Sequence, residues 1–374
     1  MCARFITVNK GTTKKHESTK KAPEPKRHKR FLLTHLCLLY FFVAPPLPIC
    51  PNHLPFPRRA LVAQLDRAFD FESKGRRFEP CRVHHTSPLL ALQSTHPERR
   101  MPEKSSTIEQ RAKLAILGIR YDDNSSFTKG AADAPPQIRA ALRSDAWNLT
   151  TENGTDLSGD SVFFDAGDIE PVPGSDMFTL IENSVHTLIA DGLSPISLGG
   201  DHSITYPIVR AFARKFNNLS VVHFDAHPDL YDNYQGNRNS HASPFARIME
   251  QRLVKRLVQV GIRTFTAHQR EQVRRFGVES IEMHQLTDRL QLEFDSPVYI
   301  SFDIDALDPA FAPGVSHREP GGMSTRQAID LIQRLQGKVV GADIVEFNPR
   351  MDPLHITGTV CAKLLKEIAA RMLE

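Results

Sequence analysis

Cysteine is scarce in this sequence, and its distribution is uneven. Of the five cysteines among 374 residues, four lie within the first 81 residues and only Cys361 lies beyond them. One cysteine cannot form an intramolecular disulfide, which excludes a disulfide-stapled fold for the C-terminal part and fits a reducing compartment. Cys361 lies in an apolar helical pattern, so we expect a small core residue there.

Long hydrophobic runs are also lacking. The apolar residues 31–44 follow the basic stretch 26–30 (KRHKR), an order that resembles a signal peptide. The run falls short of the about 20 residues that a membrane-spanning helix needs, and no small-residue cleavage site follows it. We therefore expect a cytoplasmic protein that is neither secreted nor anchored in a membrane.

An excess of basic residues is absent from most of the chain. Residues 1–100 hold 19 Lys and Arg against 7 Asp and Glu, whereas the remainder holds 28 against 36. The basic sequence pI of about 8.8 therefore originates in the first hundred residues. The remainder lacks the positive surface that nucleic acids and anionic membranes attract, so we expect neither as a partner.

Residues 1–100 show no hydrophobic periodicity and contain scattered prolines, a composition that predicts disorder. Within them, residues 60–85 resemble the conceptual translation of a bacterial tRNA gene, a sequence that over-extended reading frames contain. On this interpretation residues 1–100 are a spurious extension and the native start is Met101. The alternative is a genuine basic tail that binds a membrane or nucleic acid.

From residue 105 onward, strand and helix patterns alternate, which predicts one α/β domain over residues 105–374. Strands are predicted at residues 115–119, 162–165, 194–198, 219–224, 257–262, 278–283, 298–302 and 339–345. Helices are predicted at residues 136–142, 178–190, 204–216, 243–251, 268–276, 325–335 and 360–373. Such alternation indicates a parallel sheet covered on both faces.

Aspartates and histidines follow three of these predicted strands. They are His202, then Asp225, His227 and Asp229, and finally Asp303 and Asp305. Ligands bind outside the carboxyl ends of parallel strands, and a spacing of two residues would place side chains on one face. Four carboxylates converging without cations would repel one another, which indicates divalent metal ions.

The donor set restricts the metal. Aspartate and histidine without thiolate suit Mn²⁺, although Zn²⁺, Fe²⁺, Co²⁺ and Ni²⁺ fit the same side chains. Six ligands are more than a mononuclear site usually takes, so we predict two metal ions that share bridging carboxylates.

Three segments carry a family resemblance. Residues 199–203 (GGDHS), 225–229 (DAHPD) and 301–309 (SFDIDALDP) resemble the signatures of the ureohydrolase family, which contains arginases, agmatinases and related guanidino hydrolases. The resemblance covers about residues 110–374. It implies the three-layer α/β/α arginase/deacetylase fold, with a mostly parallel sheet of about eight strands. It also implies a homo-oligomer, either a trimer or a hexamer.

The same resemblance implies roles for individual residues. One Mn²⁺ would be held by His202, Asp225, Asp229 and Asp303, and the other by His227, Asp225, Asp303 and Asp305. Asp225 and Asp303 would then bridge the two ions. Two-metal hydrolysis of a small guanidino substrate would release urea and an amine.

Two further residues match family positions. Glu346 ends the last predicted strand and matches the carboxylate that binds the guanidinium group, a pairing with bidentate geometry. His241 matches the proton-shuttle histidine, and its side chain suits acid–base work at neutral pH. His317 lies in the loop after the last metal motif and is expected to shape the pocket.

The loop at residues 230–239 bears on the substrate. Animal-type arginases usually hold the α-amino and α-carboxylate groups there, but Tyr231 stands where an Asn is expected, and Asn233 is the candidate substrate-binding residue. We therefore predict agmatinase activity, from agmatine to putrescine. The alternative is an arginase or another guanidino-acid hydrolase, because plant-type arginases resemble the same branch. A zinc deacetylase on this fold is the alternative from another class.

Overall fold

The computed structural model describes residues 113–374. The predictions for residues 1–100, including disorder and the run at residues 31–44, lie outside these described residues. Among the described helices, none has the length and apolar character to cross a membrane.

Eight strands form one sheet in which every neighbouring pair is parallel, in the order β2-β1-β3-β8-β7-β4-β5-β6. The strands are β1 (Leu114–Ile119), β2 (Phe163–Ile169), β3 (Ser194–Leu198), β4 (Ser220–Phe224), β5 (Arg256–Ile262), β6 (Glu279–Glu282), β7 (Val298–Asp303) and β8 (Val339–Val345). The predicted α/β fold with about eight parallel strands is confirmed.

The interior of the sheet explains its sequence pattern. All residues of β4, β7 and β8 are buried, because helices cover both faces and leave no side for polar residues. The edge strand β2 instead consists mostly of partly and fully exposed positions. The central strands therefore read as continuous apolar runs, and each polar residue within them needs an internal partner.

Seven helices of four or more residues accompany the sheet in the described part of the chain. They are α1 (Ala134–Leu142), α2 (Met177–Ala190), α3 (Thr205–Ala213), α4 (Pro244–Glu250), α5 (Ala267–Phe276), α6 (Thr325–Arg334) and α7 (Ile356–Leu373). One apolar cluster joins α1, α6 and α7 to one face of the sheet, and a second joins α2, α3 and α4 to the other. Apolar residues of β4 alternate between the two clusters, as the two-residue period of a strand requires.

The predicted second strand ends four residues too early, and the last helix begins at Ile356 rather than at residue 360. Its first turn is held by buried polar groups and not by an apolar stripe. Thr357 is buried, and its hydroxyl accepts a hydrogen bond from the Gly314 amide at 2.8 Å. Hydrophobic periodicity does not detect such a turn.

Candidate metal centre and active site

Four adjacent central strands, β3, β8, β7 and β4, bring their carboxyl ends to one edge of the sheet. After β3, Gly199 and Gly200 have φ of 79° and 83°, and a Cβ on Gly200 would lie 2.6 Å from the Tyr121 carbonyl oxygen. Asp201 then caps the short 3₁₀-helix His202–Ile204 by accepting a hydrogen bond from the Ser203 amide at 3.0 Å. The tight turn and the cap together place His202 over the sheet edge.

His202 is the centre of the first cluster. Its Nδ1 lies 3.1 Å from one carboxylate oxygen of each of three residues, Asp225, Asp229 and Asp303. Among the residues that the structure describes, this nitrogen nevertheless has no partner in hydrogen-bond geometry. Nδ1 and the three carboxylate oxygens therefore surround one point, and Nδ1 forms no hydrogen bond to any of the three oxygens.

The opposite ring nitrogen of His202 explains this arrangement. Nε2 lies 3.1 Å from the Ser301 hydroxyl, which donates its own hydrogen to Asp343 at 2.8 Å. Ser301 must therefore accept from Nε2–H, so Nδ1 is the nitrogen that can supply a lone pair to a metal ion. A lone pair facing three carboxylates is the donor set that a divalent cation requires, so these residues fit a metal ion.

His227 is the centre of the second cluster. Its Nδ1 lies 3.3 Å from Asp225 Oδ1 and 3.1 Å from Asp305 Oδ2. Asp225 thus directs Oδ1 toward His227 and Oδ2 toward His202, which is the geometry of a bridging carboxylate. The second oxygen of Asp303 instead accepts the Asp305 amide at 2.7 Å.

The electrostatics of the two clusters demand positive charge. Burial alone would lower the pKa of His202, but the surrounding carboxylates raise it well above its usual range. Burial, together with the neighbouring Asp305 and Asp225, raises the pKa of Asp303 well above its usual value. The six predicted ligands therefore lie together in a site that favours bound cations.

Two residues of the site hold backbone conformations that side chains rarely adopt. Asp229 has φ of 51° and Glu346 has φ of 62°, both in the left-handed region. Such strain persists where the surrounding structure requires it, and it concentrates at functional sites. In both residues the unusual backbone accompanies a carboxylate at the sheet edge.

Glu346 and His241 form a buried pair beside the clusters. Glu346 Oε1 accepts the His202 amide at 2.9 Å and lies 3.0 Å from His241 Nδ1, while His241 Nε2 lies 2.8 Å from the Ser126 hydroxyl. Burial alone would lower the pKa of His241, but the Glu346 carboxylate outweighs it and raises this pKa to about 9. The imidazole therefore carries a proton at neutral pH.

These groups open into a cavity of about 450 Å³. Its lining includes His227, Asp229, His241, His317 and Glu346. The ring of His317 stacks on that of His241, with centroids 5.3 Å apart. The loop after residue 229 contributes Tyr231 and Tyr234 to the lining, whereas Asn233 is exposed and does not line the cavity.

The structure also shows residues that the sequence analysis did not include. His223, in the middle of β4, lies with Nε2 2.7 Å from Asp225 Oδ2, and Gln259 of β5 contacts its other nitrogen. Asp343 accepts hydrogen bonds from Tyr299 and Ser301 behind His202. The available signal was a polar residue inside a run that is otherwise apolar.

Arg263, at the end of β5, is a further residue that sequence reasoning missed. Its guanidinium donates to the backbone carbonyl oxygens of Asp305, Ala306, Leu307 and Glu319. It therefore fixes the segment that carries Asp305, and its donors are directed to the backbone although it lines the cavity.

Comparisons with known proteins agree with this geometry. Residues 112–370 match the model of the arginase family. The chain is 46% identical to the mitochondrial arginase of Medicago truncatula and 45% identical to the chloroplastic/mitochondrial arginase 2 of Arabidopsis thaliana. These alignments cover 70% of this chain and 82% and 81% of those proteins. A guanidinobutyrase of Pseudomonas aeruginosa is 33% identical, over 72% of this chain and 89% of its own length.

A solved structure of the Medicago truncatula arginase superposes with a TM-score of 0.66, covering 70% of this chain and 88% of that one. The parallel α/β sheet, the two Asp and His clusters at its carboxyl edge and these matches together identify a ureohydrolase. This chain belongs to the arginase family, and it is a hydrolase that acts on guanidino C–N bonds. The alternative of a deacetylase is set aside.

The prediction of a cytoplasmic protein is contradicted by these relatives. The Medicago arginase is named mitochondrial, and Arabidopsis arginase 2 is named chloroplastic/mitochondrial. The prediction was wrong because the short apolar run and the single Cys361 argue only against secretion, a membrane anchor and an oxidising compartment, and neither separates the cytoplasm from the interior of an organelle.

Proposed function

We propose that this protein is an arginase, which hydrolyses arginine to ornithine and urea. The observation that carries the proposal is the identity of 46% to a plant arginase, together with the paired clusters around Asp225. These similarities favour this alternative over the agmatine substrate that the Tyr231 loop suggested. Agmatine thus becomes the competing substrate that an experiment has to separate from arginine.

We assign two Mn²⁺ ions to the clusters. His202, Asp225, Asp229 and Asp303 would hold one ion, and His227, Asp225, Asp303 and Asp305 the other. When bound, such a pair of ions activates a water molecule and stabilises developing negative charge. The ligands are imidazole and carboxylate groups without a thiolate, and such a set supports Mn²⁺.

Glu346 would orient the substrate. It lies in the cavity beside the clusters, and Oε1 is committed to the His202 amide and to His241. We assign Oε2 to the guanidinium group of arginine, since a carboxylate in a buried site gives a strong, directional ion pair with it. This pair would hold the guanidinium carbon over the metal centre.

His241 would supply the proton that the leaving amine needs. Its ring lines the cavity and is held at both nitrogens, by Glu346 and by Ser126. Because its pKa is raised to about 9, the ring holds a proton at neutral pH that it can transfer to ornithine as the C–N bond breaks. His317, stacked on this ring, restricts its orientation.

Urea release from arginine by the Mn²⁺-loaded protein tests the proposal. Asp225→Ala removes the carboxylate shared by both clusters, so urea release should fall to background. Glu346→Gln leaves both clusters intact and should lower kcat/KM by on the order of a hundredfold, because a buried charge pair is lost. A loaded wild-type protein that releases no urea from arginine, agmatine or 4-guanidinobutyrate contradicts the assignment.

A further inference from the structure

His223 lies in β4 among apolar residues, completely buried, two positions before Asp225. Its register partner on the neighbouring strand β5 is Gln259, which is also completely buried. Two buried polar side chains facing each other in the middle of a sheet lose hydration unless both are hydrogen-bonded. Their bonds lead directly to the carboxylate between the two clusters.

The orientation of Gln259 is fixed by the backbone. Its Nε2 donates to the Pro228 carbonyl oxygen at 2.6 Å, and the reversed amide would set two oxygens against each other at this distance. The same nitrogen lies 3.0 Å from His223 Nδ1, to which it donates its second hydrogen. Nδ1 of His223 is therefore an acceptor.

The tautomer of His223 follows from this contact. With Nδ1 accepting, the ring hydrogen lies on Nε2, which donates to Asp225 Oδ2 at 2.7 Å. The ring cannot easily turn away, because Phe245 of α4 stacks on it with centroids 3.9 Å apart. Gln259 donates to His223 and His223 donates to Asp225, so the two hydrogen bonds run in one direction and end on the carboxylate.

We infer that His223, held in one tautomer by Gln259, is a positioning residue that keeps the Asp225 carboxylate in its bridging orientation. The inference rests on the proposed metal site. Asp225 Oδ1 is held by the His227 amide, and His223 holds the other oxygen. Without the donor at Oδ2, this oxygen loses the hydrogen bond that directs it toward the His202 cluster. Loss of such a partner behind a ligand weakens metal binding by about 10- to 100-fold.

Mn²⁺ binding tests the inference with variants that differ in one property each. His223→Phe keeps a flat ring against Phe245 but removes the donor, and His223→Gln restores an N–H near the position of Nε2. Ser220→Ala is the matched control, since Ser220 is buried on the same strand and its side chain pairs with Ser296, at 2.7 Å, away from the clusters. Free Mn²⁺ is measured by electron paramagnetic resonance during titration of the metal-free proteins.

The expected result is an affinity for Mn²⁺ that falls about 10- to 100-fold in His223→Phe and returns to within a few-fold of wild type in His223→Gln. Ser220→Ala should bind as wild type does. Unchanged affinity in His223→Phe overturns the inference. Equal losses in both His223 variants also overturn it, because a ring nitrogen would then be needed as a metal ligand.

Two measurements keep this test independent of folding and of the proposed function. If His223→Phe does not fold, as judged by circular dichroism of the metal-free protein, Gln259→Leu replaces it. Without Gln259, His223 can adopt either tautomer, so the affinity for Mn²⁺ should fall a few-fold. An unchanged affinity contradicts the inference. If the wild-type protein binds no Mn²⁺, the proposed function is refuted. If the wild-type protein binds two Mn²⁺ ions and His223→Phe binds them with the same affinity, only the role of His223 is refuted.

Discussion

At the scale of single residues, the charges of His241 and Glu346 depend on each other. Burial opposes the charge of His241, and the Glu346 carboxylate at 3.0 Å more than compensates. The pKa of Glu346 is lowered, since burial would raise it but the adjacent imidazolium outweighs that effect. Each group is therefore held in its charged form by the other.

Substitution of Glu346 should release the proton of His241. In Glu346→Gln the burial remains while the carboxylate that raises the pKa of His241 most is lost, so this pKa should fall clearly below about 9, with Asp229 and Asp201 still raising it. NMR titration of the imidazole in metal-free protein measures it, because paramagnetic Mn²⁺ would broaden the signal. A pKa that stays near 9 in the variant contradicts the pairing.

The same pair predicts how stability changes with pH. The folded state raises the pKa of His241 above its unfolded value, so it binds the proton more tightly than the unfolded chain does. The resulting stabilisation is complete below about pH 6.5 and is lost as the pH rises through about 9. The melting temperature of metal-free His241→Gln should therefore differ from that of wild type at pH 6 and approach it above about pH 9. A constant difference across this range excludes the pair as its source.

At the scale of elements, the turn after β3 depends on glycine for two separate reasons. Gly200 has φ of 83°, and a side chain there would also meet the Tyr121 carbonyl oxygen. Gly192, before the same strand, has φ of 87°, but a Cβ added there would lie in open space. The two positions separate conformational strain from steric overlap.

Alanine substitutions at these glycines should differ in their effect. Gly192→Ala should cost about 1 kcal/mol for the left-handed conformation alone, or about 2–4 °C in melting temperature. Gly200→Ala should cost several times more and should also weaken Mn²⁺ binding, because the turn positions His202. Differential scanning calorimetry measures both variants, and equal losses contradict the steric account.

The clamp formed by Arg263 gives a second prediction at this scale. Its planar fork reaches carbonyl oxygens on two segments, a geometry that lysine does not reproduce. Arg263→Lys should lower the melting temperature by several degrees, whereas Arg238→Lys, at an exposed ion pair, should change it little. Equal melting temperatures for the two variants would show that the Arg263 guanidinium does not stabilise these two segments.

The elements also show which features a sequence reveals. Apolar runs that alternate with helical patterns located all eight strands. The Asp and His residues after three of those runs located the six clustered side chains, because parallel strands meet at one edge. The sequence analysis did not find His223, Gln259 and Asp343. A periodic pattern marks a buried strand, but it does not show which polar residue of that strand is hydrogen-bonded to a neighbouring strand. Asn233 was expected at the substrate, but backbone conformation decides which residues of a loop face inward.

At the scale of the whole molecule, every helix and strand that the structure describes lies within residues 114–373. We therefore propose that a protein begun at Met101 folds and functions by itself. Its melting temperature and its urea release from arginine should equal those of the full chain within error. A large loss of either would show that residues 1–100 contribute to the catalytic part.

The oligomeric state is a further prediction for the whole molecule. A trimer or a hexamer, implied by the family resemblance, should give a mass of three or six chains by light scattering coupled to gel filtration. A monomer that releases urea at full rate contradicts it.

The ratio of kcat/KM for arginine to that for agmatine tests the central claim most directly. The two substrates share the guanidinium group that Glu346 would bind and differ only by the α-carboxylate, so the ratio reports recognition at the far end of the cavity. An arginase should prefer arginine by at least about a hundredfold, because a site that pairs with a carboxylate is left unsatisfied by the substrate without it. Equal rates, or a preference for agmatine, would contradict the assignment.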